Sequence, residues 1–141
     1  MKPLGNYVLD SFALLAYLAD ERGAGLVREV LEHGQRQAGR VRLSVINLGE
    51  CVYIVEREQG LAAAHKAIAA IEQLPVEVLS ADRARTFAAA HIKAHYKVSF
   101  ADAFAIALAQ ESAATVVTGD PEFKAVEKMI PILWLPLGLP N

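Results

Sequence analysis

The stretch 115-TVVTGDPEF-123 has the pattern of a buried strand that runs directly into a loop. Its β-branched residues favour an extended backbone, and glycine, aspartate and proline then end the strand. Asp10 follows the short apolar run 7-YVL-9 in the same way. The sequence therefore predicts two core strands that each present an aspartate, Asp10 or Asp120, at the carboxyl end.

Strand-like and helix-like segments alternate along the rest of the chain. The other predicted strands are 41–46, 76–79 and 132–134, and the predicted helices are 11–19, 26–37, 48–58, 61–73, 82–95, 100–112 and a short one after Pro121. Such alternation is typical of a parallel sheet with helices on both faces. We therefore predict an α/β fold of three layers, α/β/α, with a central parallel sheet of four to five strands. Functional residues of such folds gather outside the carboxyl ends of the strands.

Composition favours one folded domain over residues 1–141. The chain is 54% hydrophobic and 21% charged, and its net charge of −2 provides no global field for nucleic acid. A single cysteine, Cys51, excludes an internal disulfide and favours a cytoplasmic location. No apolar run reaches the roughly 18 residues of a membrane-spanning helix. The apolar segment 8–19 contains Asp10, so it is interpreted as strand plus helix rather than as a signal peptide.

Four acids stand out, because each lies at or near a predicted helix N-terminus: Asp10, Glu50, Asp102 and Asp120. Each has a simple structural explanation as part of a helix cap, which contributes only about 1 kcal/mol. The predicted caps are Asp10 or Ser11, Asn47 with Glu50, Ser99 with Asp102, and Asp120 before Pro121. Taken singly, each acid is explained more simply as a cap than as a functional group.

Taken together, the four acids favour a metal site. At a mutual spacing of about 5 Å, each pair of carboxylates would repel by about 3 kcal/mol at an effective dielectric constant of 20. Six such pairs exceed the whole stability of a typical domain, roughly 5–15 kcal/mol. Such a cluster needs protons or divalent cations, and oxygen ligands suit Mg²⁺ or Mn²⁺ rather than zinc. An ion held in this way orients and acidifies a water molecule, which points to phosphodiester hydrolysis.

The chain resembles the PIN-domain nucleases, and among them the VapC-type ribonuclease toxins of bacterial type II toxin–antitoxin systems. The resemblance rests on 8-VLDS-11, 44-SVINLGECVY-53, 99-SFADAFAIALAQE-111 and 115-TVVTGDPEF-123, and it covers nearly the whole chain. It implies Mg²⁺- or Mn²⁺-dependent endoribonuclease activity on RNA, a homodimer, and inhibition by a small VapB-type antitoxin. The implied catalytic and metal-binding residues are Asp10, Glu50, Asp102 and Asp120, and the implied supporting hydroxyls are Ser11 and Thr118. Ser11 stands where threonine is more usual, and Glu122 is an extra acid that we expect at the edge of the site.

Other functions remain open at this point. A receiver-type phospho-acceptor module also places acids at strand ends, but it needs a paired acid beside the first strand. A haloacid-dehalogenase-like phosphatase needs a second aspartate two residues after Asp10, where Phe12 stands. A PIN nuclease with a housekeeping role in RNA processing and a catalytically silent PIN-like binding module are further alternatives.

The remaining polar residues carry weaker signals. His91 and His95 are four residues apart and would share a helix face, but no further metal ligand is evident, so ordinary helix surface is favoured. Candidate RNA-contacting bases are scattered: Arg22, Arg28, Arg36, Arg40, Arg42, Lys93 and Lys97. The helices predicted at 11–19, 26–37 and 48–58 carry more apolar residues than a small core needs, which favours dimerisation.

Overall fold

The computed structural model describes residues 5–136, which fold into five strands and six α-helices. The strands are β1 Tyr7–Leu9, β2 Val41–Ser44, β3 Glu77–Leu79, β4 Thr115–Thr118 and β5 Ile132–Trp134. The α-helices are α1 Ser11–Leu18, α2 Ala24–Arg36, α3 Val45–Gln59, α4 Leu61–Glu72, α5 Arg83–His95 and α6 Phe100–Ser112, and a 3₁₀ helix spans Pro121–Val126. The strands form one sheet in the order β3-β2-β1-β4-β5, and every neighbouring pair is parallel. The predicted parallel α/β fold is confirmed.

Two apolar clusters cover the two faces of the sheet. Val8 and Val116 belong to one cluster, which also contains apolar residues of α5, α6 and the 3₁₀ helix. Leu9 and Val117, the next residues along the same strands, belong to the other cluster with residues of α1, α2, α3 and α4. Because successive side chains of a strand point to opposite faces, β1 and β4 contribute to both clusters and must be apolar throughout.

Helix α6 is the most deeply buried helix. All residues from Asp102 to Ala109 are buried, so the helix is packed all round, as its apolar sequence predicts. Asp102 is the single charged residue in that buried run. Within residues 5–136, no helix combines the length and the apolar character needed to cross a membrane.

Two predicted helix starts are wrong. Helix α2 begins at Ala24, so Gly25 lies inside it, and Gly23 precedes it with φ of 99°. Helix α3 begins at Val45, where Ser44 caps it by accepting a hydrogen bond from the Ile46 N–H at 3.2 Å. The β-branched pair Val45 and Ile46 favours a strand locally, but the Ser44 cap turns the chain into a helix there. Asn47 therefore lies inside α3, and the predicted capping box of Asn47 and Glu50 is wrong.

The contact between α2 and Pro75 requires glycine at position 34. A Cβ atom at Gly34 would lie 2.1 Å from the Pro75 carbonyl oxygen, whereas one at Gly25 would meet nothing within 4 Å. We expect Gly34→Ala to lower the free energy of unfolding by about 1–3 kcal/mol, because the helix must shift away from Pro75. Gly25→Ala, on the same helix, is the control and should be neutral or stabilising by up to about 1 kcal/mol. Urea unfolding followed by circular dichroism measures both, and equal stability of the two variants would contradict this packing.

Candidate active site

Asp10 lies at the carboxyl edge of the sheet, directly after β1. Its side chain caps α1 by accepting a hydrogen bond from the Ala13 N–H at 2.8 Å, and it accepts a short hydrogen bond from the Thr118 hydroxyl. Thr118 ends β4, the strand paired with β1, so the parallel register brings the two residues together. Asp10 is 1% exposed and Thr118 is fully buried. The predicted cap and the predicted site residue are therefore the same side chain.

Asp120 is joined to Asp10 through the same threonine. The Asp120 N–H donates a hydrogen bond to the Thr118 hydroxyl oxygen at 3.0 Å. The Asp120 carboxylate caps the 3₁₀ helix by accepting a hydrogen bond from the Glu122 N–H at 2.9 Å, as the sequence before Pro121 predicts. The Thr118 hydroxyl therefore links the loops that follow β1 and β4.

Asp102 and Glu50 reach this region from two helices. Asp102 lies in the first turn of α6 and is 6% exposed, and its N–H donates a hydrogen bond to the Ser99 hydroxyl oxygen at 3.1 Å. Glu50, on α3, is half-buried and accepts a short hydrogen bond from the hydroxyl of Ser11, the first residue of α1. Each predicted supporting hydroxyl thus holds one carboxylate: Ser11 holds Glu50, and Thr118 holds Asp10.

Burial dominates the electrostatics of Asp10. It raises the pKa of this carboxyl to about 8, although the hydrogen bonds from Thr118 and Ala13 oppose the shift. The negative charges of Asp102 and Asp120 raise the pKa further. With no cation beside it, the Asp10 carboxyl therefore keeps its proton at neutral pH.

Asp102 behaves in the same way. Burial raises its pKa to about 7, a hydrogen bond with Ser99 lowers it, and the charges of Asp120, Glu50 and Glu122 raise it again. Together with the influence of Asp102 on Asp10, these interactions place all four predicted acids in one electrostatic neighbourhood. Glu122 is exposed and acts on the site from its edge.

No positive charge balances this neighbourhood within residues 5–136. The ion pairs of that part of the chain involve other acids, and none includes one of the four. The same residues contain no group of three or more His, Cys, Asp or Glu side chains arranged to hold a metal ion. The hydroxyls of Thr118 and Ser11 instead donate hydrogen bonds to Asp10 and Glu50. In donor type, four oxygen-bearing acids fit a hard divalent cation, although they do not form a closed ligand shell as they stand.

Asn47 is a further buried polar residue near Asp102, and the sequence predicts it only as part of a helix cap. It is fully buried, and its Nδ2 donates a hydrogen bond to the Ala101 carbonyl oxygen at 3.1 Å, next to Asp102. Its Oδ1 has no hydrogen-bond partner in the described part of the chain. Asn47 and Glu50 are three residues apart on α3 and share a face, so Asn47 ties this face to the start of α6. The available signal was a lone amide in an otherwise apolar helix start, which usually marks a polar contact in the interior.

Cys51 also lies on this side of α3. It is fully buried, and its thiol contacts the Ser11 carbonyl oxygen at 3.6 Å. Burial raises the pKa of the thiol far above its usual range, and the charges of Asp10 and Glu50 add to the effect. Cys51 therefore stays protonated and fills space as a small apolar residue, in accord with the sequence interpretation.

The other predicted polar candidates lie apart from the acids. His91 and His95 are exposed on α5, and no hydrogen bond or ion pair of the described residues links them to the four acids. Three candidate bases are paired with acids elsewhere: Arg28 with Asp20, Arg36 with Glu32, and Arg42 with Glu77. The Arg42 Nε lies 3.1 Å from a carboxylate oxygen of Glu77, which is an ion-pair distance.

Residues 7–129 match the family model of the PIN domain. The fold is similar to that of VapBC2 from Rickettsia felis bound to a promoter DNA fragment, with a TM-score of 0.70, 16% identity, and coverage of 92% of this chain and 98% of the other. It is similar to VapC20 of Mycobacterium tuberculosis, a toxin that cleaves the sarcin–ricin loop, with a TM-score of 0.67, 20% identity, and coverage of 86% and 95%. It is also similar to DNA-bound VapBC from Salmonella typhimurium, with a TM-score of 0.69, 19% identity, and coverage of 92% and 97%. No curated protein sequence matches the chain.

The raised pKa of Asp10 predicts how stability depends on pH. A carboxyl whose folded-state pKa lies near 8 binds its proton more tightly in the folded than in the unfolded state, where the pKa is near 3.8. Without divalent cations, the free energy of unfolding should therefore fall by about 1.4 kcal/mol per pH unit for this group as pH rises from about 4 to about 8. We expect Asp10→Asn to lose the part of this pH dependence that Asp10 contributes. At pH 8 the variant should have a higher free energy of unfolding than the natural chain.

Urea unfolding at a series of pH values in EDTA measures the slope. Asp82→Asn is a matched control, because Asp82 also caps a helix with its carboxylate, by accepting from the Arg85 N–H at 2.8 Å, but is exposed. If Asp10→Asn and Asp82→Asn have the same slope, Asp10 is not the buried, unpaired carboxyl described above.

Proposed function

The chain belongs to the PIN-domain family, and on that premise we propose that it is a metal-dependent endoribonuclease that acts as the toxin of a type II toxin–antitoxin pair. One observation carries the proposal. Asp10 and Asp102 are buried, and the charges of Asp102, Asp120 and Glu50 raise their pKa values further. None of the described ion pairs joins a base to these four acids. A carboxylate neighbourhood of this kind becomes favourable once a divalent cation replaces the protons.

We assign Asp10, Asp102 and Asp120 as direct ligands of Mg²⁺ or Mn²⁺. Glu50 would bind the ion directly or through water, and it would orient the attacking water molecule. When bound, the ion acidifies that water and stabilises charge on the phosphoryl group. Thr118 and Ser11 keep the carboxylates of Asp10 and Glu50 in place. Ligands held by neighbouring hydrogen bonds need less rearrangement when the ion enters.

The reaction is hydrolysis of an RNA phosphodiester bond. The water oxygen forms a bond to phosphorus, and the bond between phosphorus and the 3′ oxygen breaks. One proton of the water passes to a carboxylate of the site, and the leaving 3′ oxygen takes up a proton. The products are a 5′-phosphate and a 3′-hydroxyl. A 2′,3′-cyclic phosphate would instead indicate metal-free chemistry by His91 and His95.

Topology argues against the receiver alternative. Receiver modules have the strand order 2-1-3-4-5, whereas the order here is 3-2-1-4-5. In the present order β1 and β4 are neighbours, and this pairing joins Asp10 to Thr118. A housekeeping PIN nuclease would share the fold and the site, so only a cellular experiment separates it from a toxin.

We propose a VapB-type antitoxin as the partner and a homodimer as the assembly, on the strength of the VapBC neighbours and the family resemblance. A groove of about 730 Å³ between α1, α3 and α4 suits an amphipathic segment of such a partner. Its apolar lining includes Leu15, Leu18, Ile54 and Val55, and Ile54 lies one turn beyond Glu50 on α3. A partner seated there would lie close to the acids. A cytoplasmic location completes the proposal.

The central test is RNA cleavage by the purified chain. We expect cleavage with Mg²⁺ or Mn²⁺, none with EDTA, and a loss of more than about 100-fold in Asp10→Asn and Asp102→Asn. Thr118→Val keeps the shape of the residue but removes the hydroxyl that holds Asp10, so it should lose about 10–100-fold. Asp82→Asn is the control and should cleave normally. Undiminished cleavage by Asp10→Asn would refute the proposal.

Metal binding has a readout that does not depend on activity. Mn²⁺ should raise the melting temperature of the natural chain at pH 8, and less so at pH 6, because the ion must displace the protons of the carboxyl groups. Asp10→Asn should show little of this shift. An equal shift in both proteins would mean that the ion binds elsewhere.

The toxin role is tested in cells. Expression of the natural chain should arrest growth, and Asp10→Asn should not. Co-expression of the product of a short reading frame directly upstream should restore growth. Cleavage in vitro without growth arrest would favour the housekeeping alternative.

A further inference from the structure

Helix α5 carries a regular stripe of exposed cationic and ring-bearing side chains. Arg83, Phe87, His91 and His95 follow one another at intervals of four residues, which places them along one side of the helix. The Arg83 guanidinium lies 4.8 Å from the centre of the Phe87 ring, and the His91 and His95 rings lie 4.5 Å apart. The Nδ1 of His95 lies 2.9 Å from the His91 carbonyl oxygen. We call these four residues the α5 stripe.

The core does not explain the α5 stripe. Helix α5 packs into the protein through Ala89 and Ile92, which are buried. Phe87 is 57% exposed, and the other three members of the stripe are also exposed. Solvent-facing positions of a helix usually carry charged or polar side chains. The exposed Phe87 ring beside Arg83 therefore offers a flat aromatic face and a positive charge on the same surface.

The charge around the stripe favours a polyanion. Residues 83–98 contain four bases, Arg83, Arg85, Lys93 and Lys97, and no acid, in a chain whose net charge is −2. Arg85 is paired with Glu111 and Asp82, and the Lys93 Nζ donates a hydrogen bond to the Val98 carbonyl oxygen at 2.8 Å. Arg83 and Lys97 form none of the described ion pairs. Residues 83–98 are therefore a segment without acids, and in the chain they directly precede the helix that carries Asp102.

The C-terminal end of the stripe lies near the start of α6. His95 ends α5, and four residues later Ser99 caps α6, so the two backbones lie no more than about 14 Å apart. Asp102 lies in the first turn beyond that cap. Phe100, two residues before Asp102, is 46% exposed and adds a further ring on this path.

We propose that the α5 stripe is a stacking platform for an unpaired RNA strand and directs that strand into the acidic site. The inference rests on the proposed function, and it adds where the substrate lies and in which form. Rings and guanidinium groups bind the flat faces of bases only when those bases are unpaired. The enzyme should therefore bind a single strand, a loop or a bulge in preference to a duplex.

The experiment measures binding and cleavage separately. Fluorescence anisotropy with a labelled, unstructured RNA of mixed sequence, in EDTA, reports affinity without cleavage. Phe87→Ala should weaken binding by roughly fivefold or more, because stacking on an aromatic ring contributes substantially for each base. Arg83→Gln should reduce the slope of log affinity against log salt by about 0.7, the value for one phosphate contact on a single strand. A duplex of the same sequence should bind weakly to all proteins.

A matched control lies on α3. Tyr53 is 52% exposed, and the Arg57 guanidinium lies 5.4 Å from the centre of its ring, so the pair resembles Phe87 with Arg83. Arg57 stands between two acids, Glu56 and Glu58, whereas residues 83–98 contain none, so the surface around Tyr53 should bind RNA poorly. Tyr53→Ala should therefore bind the labelled strand like the natural chain.

The outcomes separate this inference from the proposed function. Phe87 lies eight residues before His95, about 12 Å along the helix from the end of the stripe nearest the site. A dinucleotide bound at the acids should not extend to Phe87, so Phe87→Ala should cleave it as the natural chain does. Suppose that Phe87→Ala and Tyr53→Ala bind the long strand equally well and cleavage is intact. That result would refute the RNA-binding role of the α5 stripe and leave the proposed nuclease activity unaffected. If Phe87→Ala instead changes the oligomeric state in light scattering and leaves RNA affinity unchanged, the stripe is a protein interface and the inference fails. If the natural chain does not cleave RNA but its RNA binding still depends on Phe87, the proposed nuclease activity is refuted and the RNA-binding role of the α5 stripe is retained.

Discussion

The hydrogen bond from Thr118 to Asp10 is the contact on which the functional end of the molecule depends. It exists because β1 and β4 are parallel neighbours in register, with Leu9 opposite Val117, so that the residues after each strand emerge side by side. The same hydroxyl accepts a hydrogen bond from the Asp120 N–H. The charge of Asp102 raises the pKa of Asp10, and the charge of Asp120 raises the pKa of both Asp10 and Asp102. The apolar strands thus decide where Asp10 and Asp120 lie, and burial raises the pKa of Asp10 and Asp102 there.

Two of the acids have a structural use. Asp10 caps α1 and Asp120 caps the 3₁₀ helix. A cap alone would be satisfied equally well by serine or asparagine. Burial of a carboxyl that has no ion-pair partner is costly, so helix capping alone does not explain an aspartate at position 10. This is the physical difference between these caps and that of Asp82, which is exposed and paired with Arg85.

Much of this arrangement could be predicted from residue patterns. The β-branched run of β4, the buried apolar helix α6 and the strand–helix alternation led directly to the parallel sheet, and β5 lies where it was predicted. The errors were local. Val45 and Ile46 have strand propensity but lie in α3, because the Ser44 cap and packing override it. The lone amide of Asn47 indicates a polar contact in the interior, but its partner was not predictable, since Ala101 is distant in the chain.

The burial of the Cys51 thiol bears on how the protein withstands oxidants. Oxidants and alkylating agents attack the thiolate of an accessible cysteine, and Cys51 is neither ionised nor accessible. The chain has no other cysteine, so no disulfide can form between two of its own thiols. Peroxide inactivates many enzymes by oxidising a cysteine. In the folded form of this protein it should find no reactive cysteine to oxidise.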